Sequence, residues 1–135
     1  MITYDELCDM ADRDNILMIS GRLHGTPSSA ICDNGDCTIV IDYKQITDNQ
    51  QLTTCAAHEI GHCKTGSFYP PFSLELRSRM EYRANKWVIK NLAPKDEMII
   101  AIENGNTEIW QLAEYFGITE EMVRFAMWVY FDIPA

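Results

Sequence analysis

Residues 53–66 read TTCAAHEIGHCKTG. His58 and His62 stand four apart, and Glu59 directly follows the first. On a helix such positions lie one turn apart on the same face, so both imidazoles can point at one spot. Three ordinary roles compete for the pair: hydrogen-bonded core histidines, surface residues, or a structural metal pair. The fourth is the zinc-peptidase pattern H-E-x-x-H, in which both histidines bind the ion and the glutamate activates water. The surroundings favour the fourth. Ala56, Ala57, Ile60 and Gly61 make the stretch a closely packable helix, and Gly66 stops it. Each imidazole nitrogen can then reach a zinc at about 2.0–2.1 Å. Glu59 stands beside the water and takes its proton as it attacks a carbonyl.

A catalytic zinc needs a third protein ligand and one open position. The metzincin extension would demand glycine at 65 and histidine at 68, where this chain has Thr65 and Phe68. That leaves a carboxylate from a second helix. Glu75 and Glu81 are the only acidic residues between the motif and residue 95. Glu81 sits in MEYRANKW, and Asn85 follows one turn later on the same face, an amide able to orient His58 or His62. Glu75, near the helix start, suits the positive end of the helix dipole. His24, in the loop GRLHGTPSS, and a distant aspartate remain rivals for the third position. Tyr69 and Tyr82 could donate to an oxyanion but read as packing tyrosines.

Outward from the motif, residues 3–13 (TYDELCDMADR) begin with a threonine cap and place Leu7, Met10 and Ala11 on one side of a short helix. NILMISGRL is rich in β-formers, and SAICDNGDCTIVIDY predicts two strands joined at Asn34-Gly35. Residues 47–64 are helical. FYPPF predicts a rigid connection to a long helix that runs from Ser73 through LELRSRMEYRANKWVIKNL. Pro94 opens a further helix, closed by Asn104-Gly105. The tail predicts two helices with Thr107 and Thr119 as N-caps. The expected fold is α+β, a small N-terminal sheet and hairpin packed with a mainly helical domain that carries the HExxH helix and the glutamate helix. A single domain over 1–135 would divide into 1–46 (helix and small sheet), 47–92 (zinc-site helices) and 93–135 (helical tail).

The 135 residues are 47% hydrophobic and 23% charged, an ordinary soluble composition. No segment approaches the roughly 18 continuous apolar residues of a membrane span. The acidic N-terminus MITYDELCDMADRD lacks the layout of a signal peptide, so a cytoplasmic location is expected. Reduced thiols are expected for the five cysteines, with Cys32 and Cys37 facing each other across the hairpin as packing. A formal charge of −9 argues against nucleic-acid and anionic-membrane surfaces, and suits a basic protein partner. LAEYFGITEEMVRFAM resembles a helix-turn-helix with Gly117 in its turn, but from Lys95 onward the only basic residues are Lys95 and Arg124. DNA binding is not expected there. Met122, Phe125, Ala126 and Val129 form core or a partner face.

HEIGH followed by EYRANKW (81–87) resembles the ImmA/IrrE-type metallopeptidase family, in which HExxH precedes an E-x-x-A-N helix. The likeness extends over most of the chain, including GSFYPPF and LAEYFGITEEMVR. It implies zinc on His58, His62 and Glu81, with Glu59 catalytic. It also implies a phage or mobile-element setting and an endopeptidase of narrow specificity that acts on a protein substrate, a helix-turn-helix repressor encoded beside it. The alternative is a zinc-containing binding or regulatory protein that sequesters a partner without cleavage. Glu59 speaks against that, because a purely structural site has no use for a general base. Hydrolysis of a small molecule is a third possibility for the same residues.

Overall fold

The computed structural model describes residues 1–66, 68 and 74–134, without the side chains of Leu74 and Glu75. Tyr69 and the Pro70-Pro71 connection lie outside the described residues. The chain opens with α1 (Tyr4–Arg13), where the Thr3 hydroxyl accepts from the Glu6 amide and Leu7 and Ala11 face the core. Strands β1 (Leu17–Ser20), β2 (Ser28–Asp33) and β3 (Asp36–Ile41) follow. β3 is central, with β1 parallel to it and β2 antiparallel. It buries Cys37, Ile39 and Ile41 in alternation, as a strand with one covered face should. The hairpin turns at Asn34 and Gly35, both at positive φ, so the Asn-Gly pair supplies the conformation that a two-residue loop requires.

After α2 (Asn49–Thr65) come α3 (Leu74–Leu92), α4 (Lys95–Glu103), α5 (Ile109–Phe116) and α6 (Glu120–Phe131); α2 packs on α3, α6 on α3 and α5, and α4 on α5. The architecture is α+β, with the small sheet at the N-terminal side and the helices making up most of the rest. The core joins Ile39 and Ile41 of the sheet to Ala56, Ala57 and Ile60 of α2, Val88 and Ile89 of α3, and Leu112 and Phe116 of α5. No helix among the described residues is long and apolar enough to cross a membrane.

Two local expectations need correction. Cys32 does face Cys37 across the ladder, yet Cys37 is joined to Cys63 of α2, with the Cα atoms 6.0 Å apart. Cys37 points off the covered face of β3 toward the helix, while Cys32 is exposed. The cap of α5 is Glu108, one residue beyond Thr107. The Gln111 side chain reaches back to the amides of both residues, at 3.0 Å each, and so takes over the capping. Thr119 caps α6 as expected, accepting from the Met122 amide.

Candidate metal centre

The helix that carries the motif is fixed at both ends. Asp48 accepts from the Gln51 amide at 2.8 Å, and Gly66 closes the helix in the left-handed region. Between them Gly61 meets α3. A Cβ there would lie 2.8 Å from the carbonyl oxygen of Ala84. The absent side chain therefore lets the two backbones approach and brings Glu81 and Asn85, on either side of Ala84, beneath the two histidines.

The polar groups converge across this seam. Nε2 of His58 and Nε2 of His62 lie 3.1 Å apart. Glu81 splits its carboxylate between them, Oε2 at 2.8 Å from His58 and Oε1 at 3.0 Å from His62. Asn85 Oδ1 lies 2.6 Å from His58 Nδ1. An amide oxygen only accepts, so Nδ1 donates to Asn85, and Nε2 faces Glu81 as a donor when the ring is charged and as a free lone pair for a metal when it is neutral. His58, Glu59 and His62 each also bring one ligand atom within 4.8 Å of the others, a group that can hold a metal ion.

The electrostatics say the same. Burial pulls the pKa of His58 down, but the Glu81 hydrogen bond and the charges of Glu59 and Glu81 outweigh it and leave it above its ordinary value. Burial pushes Glu81 up, and the hydrogen bonds from His58 and His62 overcome it, holding the carboxyl well below the usual range. Both shifts report a cluster of lone pairs that asks for positive charge at its centre. A proton can meet that demand, and a divalent cation with nitrogen and oxygen ligands fits it better, because three donors share it.

The seam forms the floor of a cavity of about 890 Å³. One wall is the start of the edge strand β2, from Ser28 to Ala30; another is α6, with Met122 and Phe125. Glu59 is buried, and an ionised carboxylate in that position needs a partner. Ser28, buried as well, donates to its Oε2 at 2.7 Å. The Thr119 amide donates to Thr54 Oγ1 at 3.0 Å, tying the start of α6 to α2.

Of the residues singled out from sequence, His58, Glu59, His62, Glu81 and Asn85 come together. His24 is exposed and does not line the cavity. Tyr82 lies outside the cavity lining, in edge contact with Phe125 and Trp128. The stripe on α6 divides: Ala126 is core, and Phe125 is cavity wall. Sequence reasoning misses Ser28, because neither the HExxH spacing nor helical periodicity marks a serine that works through a strand–helix contact.

The sequence model of the IrrE N-terminal-like domain, a peptidase family, matches residues 15–127. That is most of the chain, and the chain belongs to this family. No curated protein and no solved structure matches it.

Proposed function

We propose that the protein is a zinc-dependent endopeptidase of narrow specificity whose substrate is a helix-turn-helix repressor encoded beside it. The observation that carries the peptidase half is the meeting of His58 Nε2, His62 Nε2 and both Glu81 oxygens at one point, within the reach of a buried Glu59. His58, His62 and Glu81 would hold the ion, with Asn85 fixing the ring of His58. When bound, zinc supplies Lewis-acid activation of water and of the scissile carbonyl. Glu59 is the general base, taking the proton of the attacking water and handing it to the leaving nitrogen.

The walls suit a polypeptide. β2 is an edge strand, and Ser28, Ser29 and Ala30 line the cavity, so an extended chain can add to it through backbone hydrogen bonds. Phe68, Met122 and Phe125 offer apolar contact to its side chains. The net charge of −9 suits a basic, DNA-binding substrate. Such a substrate puts the enzyme in the cytoplasm.

The test is Glu59→Gln, which keeps size and hydrogen-bonding shape but cannot take the proton. Zinc content should stay at the wild-type level, while cleavage of the co-expressed repressor falls by about 10²–10⁴-fold. The variant should trap the uncut partner. A partner cut equally by both proteins removes the mechanism; a partner bound by both and cut by neither favours sequestration.

A further inference from the structure

Two glutamates stand close to the paired histidines, and nothing in their chemistry alone decides which one binds the ion. Glu81 faces both Nε2 atoms. Glu59 has an oxygen within 4.8 Å of the ligand atoms of both rings, so a rotation of its side chain would make it a competing ligand. What distinguishes them is Ser28. It is the first residue of β2, is held in the ladder opposite Ile41, and donates from Oγ to Glu59 Oε2 at 2.7 Å. The donor and the acceptor are both buried, which makes this a short, charge-assisted bond shielded from water.

The serine has one proton to give. Its other neighbour is Cys55, one helical turn before Glu59, whose thiol is pushed up by burial and stays protonated. A neutral thiol is a weak acceptor, so the proton of Ser28 goes to the carboxylate. One oxygen of Glu59 is thereby anchored to the strand, and the other is left for proton transfer.

We infer that Ser28 is a positioning residue that assigns the two glutamates their roles, holding Glu59 off the metal and aimed as base while Glu81 takes the ligand position. The inference rests on the peptidase reading of the site. It differs from a packing role in one respect: loss of the hydroxyl should free Glu59 to move toward the ion, so metal affinity holds or rises while function falls.

The experiment uses the zinc-loaded and cobalt-loaded full chain with acetohydroxamate as probe, a small metal-binding group that also needs a carboxylate partner for its proton. Three measurements are made: zinc affinity by competition with a chromophoric chelator, the visible spectrum of the cobalt form, and probe affinity. In Ser28→Ala, probe affinity should fall by about 10–100-fold, the usual size for losing an orienting partner. Zinc affinity should not fall, and the cobalt bands should weaken as the carboxylate enters the coordination sphere. Ser28→Thr and Ser28→Val form a matched pair of nearly equal shape. Threonine should keep the wild-type behaviour and valine should reproduce alanine. Wild-type probe affinity and cobalt spectrum in both Ser28→Ala and Ser28→Val would overturn the assignment. Parallel losses of zinc and probe affinity in Ser28→Thr and Ser28→Val would also overturn it, in favour of packing. Glu59→Gln separates the two levels. If wild type binds the probe no better than Glu59→Gln, the peptidase reading fails and takes this inference with it. If Glu59→Gln loses the probe and Ser28→Ala does not, only the role of Ser28 fails.

Discussion

The two walls of the cavity are held together in different ways. On one side α2 and α3 meet so closely that a Cβ on Gly61 would sit 2.8 Å from the Ala84 carbonyl oxygen. There His58, His62, Glu81 and Asn85 are tied to one another across the seam. On the other side β2 and α6 each make one polar bond to α2, Ser28 to Glu59 and the Thr119 amide to Thr54, and the rest of their hold is apolar packing, such as Phe125 and Trp128 against Tyr82 of α3. A wall fixed by backbone contact and a shared network cannot shift one group without the rest. A wall that meets the polar groups through one bond each can lose such a bond without disturbing the others. On the proposed function, the groups that would hold the metal belong to the first and the surface that would receive the substrate to the second, which meets the differing demands of ligand geometry and substrate admission.

The comparison breaks first at Glu81. Glu81→Ala removes the carboxylate that touches both imidazole Nε2 atoms, and zinc affinity should fall by more than the roughly 10–100-fold expected of Asn85→Ala, which loses the hold on His58. Chelator competition on the two variants reads the difference. Should Glu81→Ala keep its zinc while Glu59→Ala loses it, the roles of the two glutamates are reversed.

A smaller effect tests the tightness of the seam. Gly61→Ala inserts a methyl against the backbone of α3, which cannot swing aside, and should cost about 1–3 kcal/mol in urea unfolding. Zinc affinity should drop with it, because the helices carrying the histidines and Glu81 are pushed apart. Ser29→Ala, on the opposite wall, should leave zinc affinity at the wild-type level. Equal behaviour of the two variants would mean that the walls do not differ in rigidity.

The same division separates what the sequence discloses from what it does not. The seam is legible because its groups repeat at helical spacing: His58 and His62 on α2, Glu81 and Asn85 on α3. One helical period places each pair on a face without knowledge of the rest of the chain. The Asn34-Gly35 turn and the Thr3 and Thr119 caps are legible for the same reason, since each is a local bond. The strand wall is built from distant partners. Ser28 and Glu59 are 31 residues apart and Cys37 and Cys63 are 26, and no period or composition links them. α6 is an intermediate case. Its apolar spacing shows the helix and its inward face, but the face is shared between core and cavity, and only the packing of α3 and α2 decides where Ala126 ends and Phe125 begins. The shift of the α5 cap to Glu108 has another cause: the Gln111 side chain accepts from the Thr107 and Glu108 amides alike, so the threonine hydroxyl is not what caps the helix.

The smallest effect concerns how the strand wall is anchored. Asp42 follows β3, and its carboxylate holds the loop that crosses from β1 to β2. It accepts from the Gln45 side-chain amide at 2.8 Å and from the Leu23 amide at 3.0 Å, while Gln45 also donates to the Leu23 carbonyl at 2.8 Å. Those bonds, the Gln45 amide first, hold the carboxyl below its ordinary value of 3.8. A carboxyl depressed on folding adds stability above its unfolded pKa, and the contribution is lost as pH falls through the folded value. Asp42→Asn cannot titrate. The stability difference between wild type and Asp42→Asn should therefore be level from neutral pH down to about 5 and shrink below the ordinary carboxyl range. Groups at the metal site titrate in both proteins and cancel in the difference. Urea unfolding along a pH series measures it. A difference that does not change with pH would show that Asp42 holds the loop through its shape alone. In that case the approach to Ser28 is set by loop geometry, not by charge, and the strand wall is less dependent on single polar contacts than its structure suggests.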